Sequence, residues 1–137
     1  MMTTFTFDHV GLSVADLDAQ RRFYTRALGL VERWQGAIPQ AEVRIAVLSG
    51  PTGLQIELIE RLGSTPQNFT DVYDAAGTQG YFHLALRVID LDATFAEVLS
   101  SGATAVSAPA PALQPGLRFA YVKDPEGNLI ELIQRAE

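Results

Sequence analysis

Polar and apolar residues alternate along FDHVGLSV (7–14), with Val10, Leu12 and Val14 on one face and His9, Gly11 and Ser13 on the other. A period of two belongs to a half-buried strand, so a strand is expected over 6–14. Asp16 stands where an N-cap belongs, and a helix is expected over 17–28, ending at Gly29 in a left-handed turn. Extended segments follow at about 31–35, 43–49 and 54–60, with GPTG (50–53) as the turn before the last. The pattern then recurs. A strand over 80–88 sets Leu84, Leu86 and Val88 against His83, Ala85 and Arg87. Asp90 caps a helix over 91–101, whose Leu91, Phe95, Val98 and Leu99 form an apolar stripe that ends near Gly102. Segments at about 104–107, 117–122 and 128–134 complete the copy, with DPEG (124–127) as the turn.

The recurrence extends to the letters. FDHVGLSVADLDA (7–19) lies over YFHLALRVIDLDA (81–93) at an offset of 74. The same offset lays VRIAVLSGPTGLQIELIE (43–60) over LRFAYVKDPEGNLIELIQ (117–134) without a gap. The chain therefore holds two βαβββ units, about 5–60 and 80–135, joined by a Gly-, Ser-, Thr-, Pro-, Asn- and Gln-rich linker at 61–79. One helix per four strands covers one sheet face and leaves the other for a ligand or for the second unit.

Composition removes several classes of function. A chain of 137 residues that is 47% hydrophobic and 19% charged can bury a core of its own and is expected to be one domain, 1–137. It has no apolar run long enough to span a bilayer, and MMTTFTFDHV does not read as a signal peptide. With a formal net charge of -6 and no basic cluster, neither nucleic acid nor a membrane surface is an expected partner. The absence of cysteine fits a reducing, cytoplasmic setting and leaves His and carboxylates as the available metal ligands.

The face opposite the apolar stripe carries the candidate chemistry. On the last strand of each copy Glu57 opposes Leu54, Ile56 and Leu58, and Glu131 opposes Ile130 and Leu132. His9 precedes Glu57 by 48 residues, and His83 precedes Glu131 by 48. Taken singly, a strand His is commonly a hydrogen-bonded structural residue and a strand Glu a solvated edge. Taken together, two imidazoles and two carboxylates brought between strands are costly to bury unless a cation compensates them. The expected metal ligands are His9, Glu57, His83 and Glu131.

This doubled plan, with FYTRALGL (23–30) and KDPEGNLIEL (123–132), resembles the vicinal oxygen chelate superfamily of glyoxalase I, methylmalonyl-CoA epimerase, extradiol dioxygenases and fosfomycin and bleomycin resistance proteins. The resemblance covers nearly the whole chain. It implies an α+β fold in which tandem βαβββ units form a curled, mostly antiparallel sheet, an open barrel around a metal. It also implies a homodimer, with sites in many short members shared between chains. The His, Glu, His, Glu order is similar to bacterial glyoxalase I. That likeness implies one divalent ion per site, with nickel, cobalt or zinc ahead of manganese or iron, and a small-molecule substrate. The implied activity is that of a lyase or isomerase moving a proton between adjacent carbons of an α-hydroxycarbonyl or thiohemiacetal-like compound through a metal-bound enediolate, with Glu131 and Glu57 as the candidate bases. Three other readings stand beside it: an extradiol-type dioxygenase, an epimerase, and a non-catalytic drug- or ligand-binding resistance protein.

The resemblance also marks a departure. Where glyoxalase I places an Arg after the first His and an Asn after the first Glu for glutathione, this chain has Ser13 and Arg61, while Arg87 follows the second His. Arg87, Arg61 and Tyr121 are candidate substrate contacts, with a rim ion pair as the alternative for Arg87. Tyr121, Trp34 and Phe119 are candidates for a cavity wall or for core. Tyr73 and Phe69, in the linker, are candidates for a lid. Arg44 and Arg118 match across the copies and are read as parts of the sheet.

Overall fold

The structure is a computed structural model that describes residues 3–136. Residues 1, 2 and 137, which include the start of MMTTFTFDHV and the ends of the expected domain, lie outside the described residues. The chain divides into two compact units, Met1–Thr65 and Pro66–Glu137, with the boundary inside the expected linker.

The first unit runs β1 (Val10–Val14), α1 (Leu17–Leu28), β2 (Val31–Ile38), β3 (Val43–Ser49) and β4 (Gln55–Arg61). Its strand order is β1-β4-β3-β2, with β1 parallel to β4 and the other pairs antiparallel. The second unit begins with a short helix that the sequence did not lead us to expect, α2 (Val72–Ala76), capped by Asp71. It continues β5 (His83–Arg87), α3 (Leu91–Ser100), β6 (Thr104–Pro111), β7 (Leu117–Lys123) and β8 (Leu129–Arg135), in the order β5-β8-β7-β6. Each sheet is thus mixed and mostly antiparallel, and the fold class is α+β as expected.

Local chemistry explains the boundaries. The Asp16 and Asp90 carboxylates accept from the N–H groups of Ala19 and Ala93 at 3.0 and 3.1 Å, closing the first turns of α1 and α3. Gly29 ends α1 at φ 67°, a left-handed backbone that favours glycine. The outer strands β2 and β6 run to residues 38 and 111, well past the expected 35 and 107. Pro109 and Pro111 obscured β6, but β6 is at the end of the strand order, and Pro109 lies within a register shift and Pro111 just past it, where a missing N–H is tolerated.

Alternation sorts the faces as expected. Ile56 and Leu58 on β4, with Ala46 and Leu48 on β3, are buried. In the second unit Ile130 and Leu132 on β8, with Ala120 and Val122 on β7, are buried too. α1 packs on β3 and β4, and α3 packs on β6, β7 and β8. Each buried Leu or Ile contributes roughly 1.5–3 kcal/mol relative to leaving it exposed.

The matched arginines fasten each helix to its sheet. Arg44 grips the Glu60 carboxylate through two bonds of 2.9 and 3.1 Å, and Glu60 also accepts the Leu17 N–H at the start of α1, at 2.8 Å. These contacts hold Glu60 below the ordinary carboxylate range, with the Arg44 hydrogen bond the largest cause. In the second unit Gln134 accepts the Leu91 N–H at 2.7 Å, while Arg118 grips Asp92 with bonds of 3.0 and 3.1 Å. The match between Arg44 and Arg118 therefore reflects this fastening.

Candidate metal centre

Each unit holds one imidazole and one carboxylate on the sheet face away from its helix. In the first, Glu57 lies in register between Gly11 of β1 and Val47 of β3. His9 stands just before β1, and its Nε2 is 3.8 Å from Glu57 Oε1. The opposite nitrogen, Nδ1, is 2.6 Å from Asp8 Oδ2. A carboxylate at that distance accepts from the Nδ1–H, leaving the Nε2 lone pair of the neutral ring on the Glu57 side. The Asp8 hydrogen bond is also the largest cause raising His9 above its ordinary pKa.

In the second unit Glu131 lies in register between Ala85 of β5 and Tyr121 of β7. His83 Nε2 is 3.2 Å from Glu131 Oε1, and both side chains are more enclosed than the first pair, at 24% and 17% exposed against 36% and 28%. No carboxylate precedes His83, since Phe82 occupies that place. The ring is held instead by edge contacts with Phe82 and Tyr121, whose centroids are 4.5 and 5.3 Å away. Tyr121 is buried, and it lies opposite Glu131 in the β7–β8 register. Burial first, then the nearby Glu131 carboxylate, push the phenol up to about 12.

The pairs suit a metal. Two donors bound about 2.0–2.2 Å from one ion lie roughly 3–3.5 Å from each other; the second pair falls in that range at 3.2 Å, and the first is wider at 3.8 Å. An imidazole that gives its other N–H to a carboxylate, as His9 does to Asp8, is the usual arrangement of a metal-bound histidine. Among the described residues no group of three or more His, Asp or Glu side chains forms a metal-holding cluster. Each unit therefore offers half of the expected ligand set.

The remaining candidates divide. Tyr121 belongs to the second pair, and Phe119 touches its ring edge-on at a centroid distance of 5.9 Å. Arg87 shares the His83 face at the exposed end of β5, four residues and about 13 Å along the strand. Arg61 is exposed at the end of β4. Trp34 shares the row of Glu57 and Val47 and is exposed, its ring lying against Gly36. Tyr73 is exposed on α2, while the Phe69 carbonyl accepts from Lys123 Nζ, which ties the linker to β7. Sequence reasoning missed Asp8 and the cross-strand pairing of Tyr121 with Glu131. The second was readable from hairpin register, which sets 121 opposite 131.

No helix among the described residues is long and apolar enough to cross a membrane. Comparison with known proteins gives a consistent picture. The model of the Glyoxalase/Bleomycin resistance protein/Dioxygenase superfamily matches residues 8–121. The chain is 32% identical over 129 residues to the lactoylglutathione lyase of Haemophilus influenzae, covering 92% of this chain and 90% of that protein. It is also 32% identical over 129 residues to a Synechocystis protein named "Probable lactoylglutathione lyase", covering 92% of each. Among solved structures, glyoxalase I from Zea mays superimposes with a TM-score of 0.70 at 26% identity, over 95% of this chain and 44% of that one. The chain thus spans less than half of the maize protein. By its family match, these relatives and its doubled βαβββ architecture, the chain belongs to the glyoxalase/bleomycin resistance protein/dioxygenase superfamily.

Proposed function

We propose that this protein is a metal-dependent lyase or isomerase of glyoxalase I type. One observation carries the reading: an imidazole Nε2 facing a carboxylate oxygen occurs twice, at equivalent positions of the two units. His9, Glu57, His83 and Glu131 would together hold one divalent ion, with nickel, cobalt or zinc the expected metals. The two units then act as one domain, in a protein read as a homodimer that acts on a small molecule.

When bound, the ion supplies Lewis acidity that polarises a carbonyl and stabilises enediolate charge. The chain's residues do the rest. Asp8 keeps the His9 lone pair turned toward Glu57. His83 is fixed between Phe82 and Tyr121. A Glu131 or Glu57 oxygen takes the proton from the acidified C–H and returns it to the adjacent carbon, so no oxidant is needed. The exposed guanidinium groups of Arg87 and Arg61 are suited to an anionic part of the substrate. The lactoylglutathione lyase names of the relatives support this reaction class. A glutathione adduct is the first substrate to test, although Ser13 stands where an Arg would be expected.

Elemental analysis of the purified protein, followed by turnover assays with methylglyoxal and several thiols, tests the proposal. The expected result is nickel, cobalt or zinc, with isomerisation and no oxygen consumption. Iron(II) with oxygen uptake, or tight ligand binding without turnover, would overturn it.

A further inference from the structure

The strands of the first sheet carry a single aromatic residue, Trp34, and a backbone irregularity sets its direction. Between Glu32 and Trp34 the β2–β3 register shifts by one residue, so Arg33 is an extra residue in β2. Glu32 pairs with the buried Leu48 and ion-pairs with Arg21 of α1, which places it on the helix side. Without the bulge Trp34 would follow Glu32 to that side, because a slip of one residue reverses the faces of a strand. With it, Trp34 pairs with Val47, and Val47 pairs with Glu57. Trp34 therefore stands in the row of Glu57, two strands away, or about 10 Å between backbones.

The ring has a seat. A Cβ on Gly36 would come 2.4 Å from Trp34 Cη2 and 2.7 Å from Cζ2, so the indole lies where any other residue at 36 would displace it. Trp34 nevertheless stays 56% exposed. The surface around it is uncharged. Gly36 shares a row with Ile45, Ile59 and Ser13, and Val47 stands between Trp34 and Glu57. Ser13 is also the place where the resemblance led us to expect an Arg for glutathione. A charged peptide finds no partner in this row, whereas a planar apolar group finds an aromatic ring with aliphatic flanks. The second unit lacks the feature: opposite Tyr121, where Trp34 stands opposite Val47, the register places Ser107.

We infer that Trp34, seated on Gly36, is a specificity-determining residue: a shelf for a planar, uncharged ring that the substrate carries several bonds from its reacting carbons. This rests on the proposed function, because it names the substrate class of the same site. The spacing sets the class. A ring joined directly to the carbonyl would sit beside Glu57, whereas one joined through a sulfur and a methylene reaches toward the indole. A thiohemiacetal made from an arylmethyl thiol has that form.

Two readouts test this. The first compares methylglyoxal adducts of phenylmethanethiol and ethanethiol. Stacking and burial of one ring imply a kcat/KM about tenfold higher for the phenyl adduct in wild type. Trp34→Ala is expected to bring the ratio within about twofold of one. Gly36→Ala keeps the indole but unseats it, and is expected to lose most of the preference. The second readout needs no turnover. Trp34 is the chain's only tryptophan, so its emission reports on the shelf. 2-Hydroxy-4-phenylbutanoate is expected to quench it at concentrations where 2-hydroxybutanoate does not, and to bind Gly36→Ala about tenfold more weakly. Equal quenching by the two acids, no quenching by either, or a phenyl preference that survives both substitutions would overturn the inference. So would emission that shifts with protein concentration alone, since a second copy of the chain would then cover the ring. If neither adduct turns over but the phenyl acid still quenches selectively, the proposed reaction fails and the shelf stands. If both adducts turn over equally and no acid quenches, the shelf fails and the reaction stands.

Discussion

Glu131→Gln is expected to lower turnover by about 10²–10⁴-fold, the range for loss of a positioned general base. The substitution keeps the shape of the side chain. Gln fits the same place between Ala85 and Tyr121 and keeps one oxygen to face His83, so folding should survive. What disappears is an oxygen able to take a proton near neutral pH. KM should therefore change little while kcat collapses, the signature of an interaction used on the way to the transition state. Glu57→Gln is expected to cost less, because Glu57 is the more exposed carboxylate, at 28% against 17% for Glu131. Steady-state assays of methylglyoxal–thiol adducts check both, and unchanged turnover in Glu131→Gln would remove it as the base.

Leu58→Ala is expected to destabilise the protein by about 2–5 kcal/mol, the usual cost of emptying a closely packed leucine site. Leu58 is fully buried on β4, in register between Leu12 and Ala46 and on the face opposite the neighbouring Glu57. Its counterpart Leu132 lies between Leu86 and Ala120. A loss of this size is a large part of the 5–15 kcal/mol typical of a whole domain. Urea titration followed by circular dichroism measures it. A cost below about 1 kcal/mol would mean that β4 does not turn this face into the interior.

The features set by periodicity were legible in the sequence. Alternation gave the strands and their faces, because a half-buried sheet imposes a two-residue period whatever else the chain does. Asp16, Asp90 and Gly29 gave the helix ends, because capping is local chemistry. The length of β6 was hidden by its prolines, which local rules read as loop and strand order accommodates. The first strand begins at Val10, so His9 lies just outside it, where alternation no longer controls the side chain. Asp8 supplies that control instead through its bond to His9. The roles of Arg44 and Arg118 depend on partners 16 and 26 residues away, which no local pattern displays. Of the proposed site, the sequence pointed to His9 with Glu57 and His83 with Glu131, pairs that the structure holds 3.8 and 3.2 Å apart, and to Tyr121. It did not yield the difference between the two carboxylates, which comes from cross-strand neighbours and becomes visible only once register is known.

The most direct measurement is a titration of metal-free protein with cobalt(II), for wild type and for variants lacking one half of the ligand set, His9→Ala/Glu57→Ala and His83→Ala/Glu131→Ala. If the pairs serve a common ion, wild type takes up one tightly bound cobalt per chain, and either variant loses tight binding altogether. Two ions per chain in the wild type, or one tight ion remaining after either pair is removed, would contradict a shared site.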